Sequence, residues 1–138
     1  MKFLHCMIRV KNLEESLDFY CNKLRLKLLR HKDYSHGRFS LYFLATDEGA
    51  PEIELTHNWD EQIYIQGNNF GHLAYLVDDI YETCQHLQAN GVQILRPPRD
   101  GRMAFIKDPN GISIELLQAG QSLSPAEPWV SMPNVGTW

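Results

Sequence analysis

The sequence predicts an α+β fold built from two βαβββ repeats, and three observations carry that prediction. Residues 5–20, HCMIRVKNLEESLDFY, align with residues 72–87, HLAYLVDDIYETCQHL, at a constant offset of 67. Ile53-Glu54-Leu55 recurs as Ile114-Glu115-Leu116 at an offset of 61, so the second copy is six residues shorter in its loops. Each copy also shows a strand pattern, a helix start and then further strand patterns, which makes the repeat a structural unit rather than a chance likeness.

The elements follow in order. The apolar stretch 3–10 reads as a strand running into Asn12, with Glu15 three residues on, and 71–77 runs likewise into Asp79 and Glu82. Such side chains accept hydrogen bonds from the free N–H groups of a first helical turn, so a helix starts at each. Leu13, Leu17, Tyr20, Cys21 and Leu24 recur at helical spacing in the first copy, as do Ile80, Cys84 and Leu87 in the second. Asn90-Gly91 stops the second helix, glycine supplying the positive φ after the cap. Arg25 holds the equivalent point in the first copy and either adopts that conformation or ends its helix differently.

Strands are predicted over 26–31, 38–45 and 51–57 in the first copy, with Asp47-Glu48-Gly49 as the turn before the last. In the second they are predicted over 92–96, 103–107 and 112–118, with Asp108-Pro109-Asn110-Gly111 as a hairpin turn. A βαβββ unit exposes one sheet face that it cannot bury alone, so two copies or two chains must combine. Repeat one (1–66) and repeat two (69–118) are expected to form a single domain, 1–118. The Pro/Trp-containing C-terminal tail 119–138, with Pro125, Pro128, Pro133, Trp129 and Trp138, is expected to pack over its own or a partner subunit's surface.

Composition narrows the function classes. A chain of 138 residues buries roughly two-thirds of its unfolded surface, so it needs no disulfide or structural metal, and metal chemistry in it would be functional. The net charge of −4, without runs of like charge, excludes nucleic acid or an anionic membrane as partner, and an anionic ligand would need individually placed Arg or Lys. No apolar run approaches the roughly 20 residues that span a bilayer, and Met1-Lys2-Phe3-Leu4-His5-Cys6 lacks a signal-peptide pattern, so a cytoplasmic location is expected. Cys6, Cys21 and Cys84, widely spaced and without a C-x-x-C motif, read as reduced thiols serving as small core side chains.

Strand phase selects four ligand candidates. His5, Met7 and Arg9 share one face of the first strand, and Glu54 shares a face with Glu52 and Thr56, opposite Ile53 and Leu55. Glu115 takes the same phase between Ser113 and Leu117, and His72 is the repeat equivalent of His5. If a pseudo-twofold relates the copies, His5, Glu54, His72 and Glu115 converge about one axis. Two imidazoles and two carboxylates form a hard-to-borderline set suited to nickel, zinc, cobalt or manganese. His31, His36, His57 and His86 have no such repeat partner and read as surface or packing residues, and Glu52, Glu61 and Glu82 as solvated surface.

The stretches His5 to Leu13, Ser16-Leu17-Asp18-Phe19-Tyr20, Ile53 to Trp59, Phe70-Gly71-His72-Leu73-Ala74 and Asp108 to Leu116 closely resemble glyoxalase I (lactoylglutathione lyase), of the vicinal oxygen chelate superfamily. The resemblance covers about residues 1–118, includes all four ligand positions and implies that family's curved mixed sheets. It implies isomerisation of the hemithioacetal of methylglyoxal and glutathione to S-lactoylglutathione through an enediolate. One divalent metal per site is implied, nickel ahead of zinc, since short bacterial members usually prefer nickel. Glu115 is implied as the catalytic base, with Glu54 a spectator ligand or the base on the opposite face. Family members are dimers with two ligands from each chain, so a homodimer is implied in which His5 and Glu54 of one chain meet His72 and Glu115 of the other.

Arg9 and Asn58 match the family's glutathione-binding positions. Arg9 lies four residues beyond His5 on one strand face, roughly 13 Å away at about 3.3 Å per residue, within a tripeptide's reach. The segment Arg96-Pro97-Pro98-Arg99-Asp100-Gly101-Arg102 is shorter than the family's usual substrate loop and offers Arg102 as a replacement anion contact. Related thiol transferases and extradiol dioxygenases use three protein ligands, and epimerases tend to carry Gln at the first-half glutamate, so Glu54 favours the isomerase. Non-catalytic antibiotic-binding modules of the same fold lack the ligand set.

Overall fold

The computed structural model describes residues 1–138 as two compact units, Met1–Ile65 and Gln66–Trp138. No helix in it is long and apolar enough to cross a membrane.

The first unit runs β1 (His5–Arg9), α1 (Leu13–Leu17) with a π-helical continuation (Asp18–Lys23), β2 (Lys27–Tyr34), β3 (Phe39–Ala45) and β4 (Glu52–Asn58). Its sheet has the order β1-β4-β3-β2, with β1 parallel to β4 and the remaining pairs antiparallel. Asn12 caps α1, its side chain accepting from the Glu15 amide. Alternation in β1 buries Ile8 while His5, Met7 and Arg9 stay exposed. Ile8, Val10, Ile53 and Leu55 join Phe19 and Tyr20 in the core, each worth about 1.5–3 kcal/mol of apolar burial.

The helical stripe of the first copy departs from expectation. Ser16, Phe19 and Tyr20 are the buried residues, whereas Leu13, Leu17 and Leu24 are only half-buried. The π-helical turn inserts one residue and rotates everything after it. Repeat alignment locates the insertion: the amide of Leu26 bonds to the Tyr20 carbonyl, while Val92 bonds to Leu87, one residue nearer. Both helices then close through a left-handed residue, Gly91 at φ 78° and Arg25 at φ 62°, so Arg25 adopts the glycine-like conformation.

The second unit runs β5 (His72–Val77), α2 (Ile80–Ala89), β6 (Met103–Lys107) and β7 (Ser113–Gln118), in the sheet order β5-β7-β6. Asp79 caps α2 by accepting from the Tyr81 and Glu82 amides, and Ile80, Cys84 and Leu87 turn inward to meet Ile106, Ile114 and Leu116. The strand expected over 92–96 is absent; one bridge, Arg96 to Phe105, is all that forms. Pro97 and Pro98 follow directly, and proline has no N–H with which to continue a ladder.

Residues 119–138 lie against their own second unit. Trp129 is buried and stacks parallel to Tyr81, Tyr81 Oη donates to the Ser124 carbonyl, and the Val135 amide donates to Leu95. Gly101, at φ 63°, lets Leu123 approach so closely that an added Cβ would stand 2.0 Å from the Leu123 oxygen.

Candidate metal centre

The parallel ladders position the four candidates. His5 is opposite Glu52 and Met7 opposite Glu54; His72 is opposite Ser113 and Ala74 opposite Glu115. In both, the glutamate follows the histidine's cross-strand partner by two residues, which puts imidazole and carboxylate on one face. His5 Nε2 lies 2.9 Å from Glu54 Oε2, and His72 Nε2 lies 3.3 Å from Glu115 Oε2. The imidazoles are 39% and 42% exposed and the carboxylates 13% and 16%, so each carboxylate is held within the sheet face and each ring stays open to a ligand.

An aromatic ring floors each pair. Phe43, opposite Glu54, meets the His5 ring edge-on at 6.0 Å; Phe105, opposite Glu115, meets His72 edge-on at 5.4 Å. The sequence reading overlooked these two residues: the 61-residue offset of the Ile-Glu-Leu triplets puts Phe43 on Ala104, so the equivalence of Phe43 and Phe105 emerges only from their shared pairing opposite Glu54 and Glu115.

The surroundings of the two pairs differ. In the first unit the Arg30 guanidinium lies 3.8 Å from the centre of the Phe43 ring and grips Glu52 through both nitrogens. That hydrogen bonding holds the Glu52 carboxyl below its ordinary range, and Glu52 is a half-buried ion-pair partner rather than the solvated residue expected. Thr56 Oγ1 stands 3.4 Å from Glu54 Oε1, a long contact, whereas the position equivalent to Thr56 in the second unit is Leu117.

Each unit thus offers one imidazole nitrogen and one carboxylate oxygen, and neither alone gathers three or more His, Cys, Asp or Glu side chains in reach of one ion. The donor set, nitrogen and carboxylate oxygen without thiolate, fits a borderline divalent metal. Arg9 lies opposite Thr56 at the end of β1, exposed, with Asn58 two residues further along β4. Asn58 Nδ2 donates to Tyr64 Oη at 2.9 Å, and both line a groove of about 220 Å³ with Val10, Lys11, His57 and Trp59. Arg102 donates to the Gly120 carbonyl at 2.6 Å. Its neighbours are also engaged: Arg96 pairs with Asp100, and Arg99 bonds to the Met132 carbonyl and to Asn134. Of the other histidines, His31 stacks on Tyr42 and His86 stands beside Asn90.

The profile of the Glyoxalase/Bleomycin resistance protein/Dioxygenase superfamily matches residues 2–116, which includes both pairs. The chain belongs to this superfamily. Among glyoxalase relatives, the lactoylglutathione lyase of Neisseria meningitidis serogroup A is 47% identical over 125 residues, 86% of this chain and 91% of its own. A probable lactoylglutathione lyase of Synechocystis is 45% identical, again over 86% of this chain, and 95% of its own. The trypanothione-dependent glyoxalase I of Leishmania major superposes with a TM-score of 0.81 at 35% identity, covering 86% of each chain. The family match ends before the 119–138 segment.

Proposed function

We propose that the protein is a metal-dependent lactoylglutathione lyase, which isomerises the hemithioacetal of methylglyoxal and glutathione to S-lactoylglutathione. The observation that carries this reading is the duplicated His–Glu pair, His5 with Glu54 and His72 with Glu115, in one ladder register on two repeat-related sheets. The named relatives, lactoylglutathione lyases over most of the chain, support the same activity.

His5, Glu54, His72 and Glu115 would hold one divalent ion, nickel in preference to zinc, in a site completed by two chains of a cytoplasmic homodimer. Residues 1–118 of each chain act as one vicinal oxygen chelate domain. When bound, the ion supplies Lewis-acid stabilisation of the oxyanions that develop as the proton leaves carbon. Glu115 takes the proton from the thiol-bearing carbon and returns it to the neighbouring carbon, a transfer that a positioned carboxylate accelerates by about 10²–10⁴. Leu117 beside it offers no hydroxyl to hold the carboxylate in place, whereas Thr56 faces Glu54; this asymmetry favours Glu115 as the mobile base. Arg9 presents a guanidinium fork to the γ-glutamyl carboxylate and Asn58 contacts the peptide from the groove, whereas Arg102 is tied to the Gly120 carbonyl and holds the 119–138 segment.

Absorbance at 240 nm tests the reading directly. Chelator-stripped protein should be inert towards methylglyoxal with glutathione, and nickel should restore more turnover than zinc. Stoichiometric metal binding without turnover would refute it.

A further inference from the structure

The two half-sites share a floor but not a cover. Over Phe43 lies the Arg30 guanidinium, tied to Glu52; over Phe105 lies the indole of Trp138, its ring centre 5.8 Å away and inclined by 26°. Phe105 is itself buried and stands edge-on to His72, opposite Glu115, so Trp138 is one ring removed from the pair that carries the proposed base. Trp138 remains 41% exposed, so part of the indole is open to a ligand.

The segment that delivers it is anchored at several points. Gly101 and Leu123 make a close backbone contact, Arg102 bonds to Gly120, Arg99 bonds to Met132 and Asn134, and Val135 bonds to Leu95. The arginine-rich 96–102 loop, which in the sequence suggested anion contacts, therefore spends three side-chain hydrogen bonds docking 119–138. The indole lies outside residues 2–116, the span that the superfamily match covers.

We infer that Trp138 is a specificity-determining residue: an apolar platform beside His72 and Glu115 on which the carbonyl substituent of an aromatic or bulky 2-oxoaldehyde packs. The inference rests on the lyase reading. An indole face gives a phenyl substituent offset stacking and apolar burial, while a methyl group gains little from it.

The test compares methylglyoxal with phenylglyoxal, each as its glutathione hemithioacetal, in nickel-loaded wild type, Trp138→Ala and Trp138→Phe. Trp138→Ala should lower kcat/KM for the phenyl substrate about fivefold while changing the methyl substrate less than about twofold, and Trp138→Phe should restore most of the difference. Calorimetric binding of S-benzylglutathione against S-methylglutathione should shift in the same ratio, independently of turnover. An unchanged phenyl-to-methyl ratio in both measurements, with methylglyoxal still turned over, overturns the inference alone. A wild type inert towards both substrates overturns the lyase reading instead.

Discussion

His5 and Glu54 meet across a parallel ladder, Nε2 to Oε2 at 2.9 Å, because Met7 rather than His5 is the cross-strand partner of Glu54. The two-residue stagger lets the imidazole lean along the strand onto the carboxylate. The same stagger in β5 and β7 brings His72 to Glu115. Each repeat thus builds one His–Glu pair from local register, with no need for a loop to fold over it.

If each active site takes one pair from each of two chains, inactive variants should complement. Protein carrying His5→Ala with Glu54→Ala keeps the second pair, and protein carrying His72→Ala with Glu115→Ala keeps the first. Each alone should be inert. Mixing them through a dissociation and reassociation step should recover about a quarter of wild-type turnover, since half the dimers are mixed and each holds one intact site. Turnover that never returns, in mixtures shown to contain mixed dimers, contradicts the two-chain site.

The two glutamates should respond differently to neutralisation. Glu115→Gln should lower kcat by about 10²-fold or more while the protein still binds nickel, because the proton acceptor is lost and an oxygen ligand remains. Glu54→Gln should lose less, since its role is to hold the ion. Equal losses in steady-state assays, or the reverse order, contradict the assignment.

Two glycine substitutions separate backbone strain from steric exclusion. Gly91→Ala places a Cβ in open space at φ 78°, so its cost should be about 1 kcal/mol of left-handed strain. Gly101→Ala adds a clash with the Leu123 backbone and should cost more than that while releasing 119–138. Denaturant unfolding gives the stabilities, and limited proteolysis should cut the segment in Gly101→Ala before Gly91→Ala.

Burial pushes the Cys84 thiol up to about 12. The native state therefore holds this proton more tightly than the unfolded chain does. The associated stability is complete below the unfolded value near 9 and is lost as pH rises towards 12. Between pH 9 and 10.5 wild type should lose about 2 kcal/mol more than Cys84→Ala, measured by urea unfolding at each pH. Parallel curves for the two proteins would contradict this.

Much of this was readable in the chain because the repeat ties local signals together. Asn12 and Asp79 announced both helices, and the Ile-Glu-Leu triplets fixed the phase of both glutamates. The π-helical insertion was not readable, since apolar residues at Leu13, Leu17 and Leu24 satisfy a regular helix equally well and only packing of Phe19 with Tyr20 selects the alternative. The absent strand at 92–96 shows local β pattern overruled by Pro97 and Pro98. The pairing of Glu52 with Arg30 and the docking of Trp138 on Phe105 are cross-strand and long-range contacts that periodicity does not encode.

The central claim is that His5, Glu54, His72 and Glu115 share one ion. X-ray absorption at the nickel edge of the loaded protein measures this most directly. Two imidazoles with oxygen ligands and no sulfur are predicted, falling to one imidazole in His5→Ala and equally in His72→Ala. Sulfur in the coordination sphere, or an unchanged imidazole count in either variant, would contradict it.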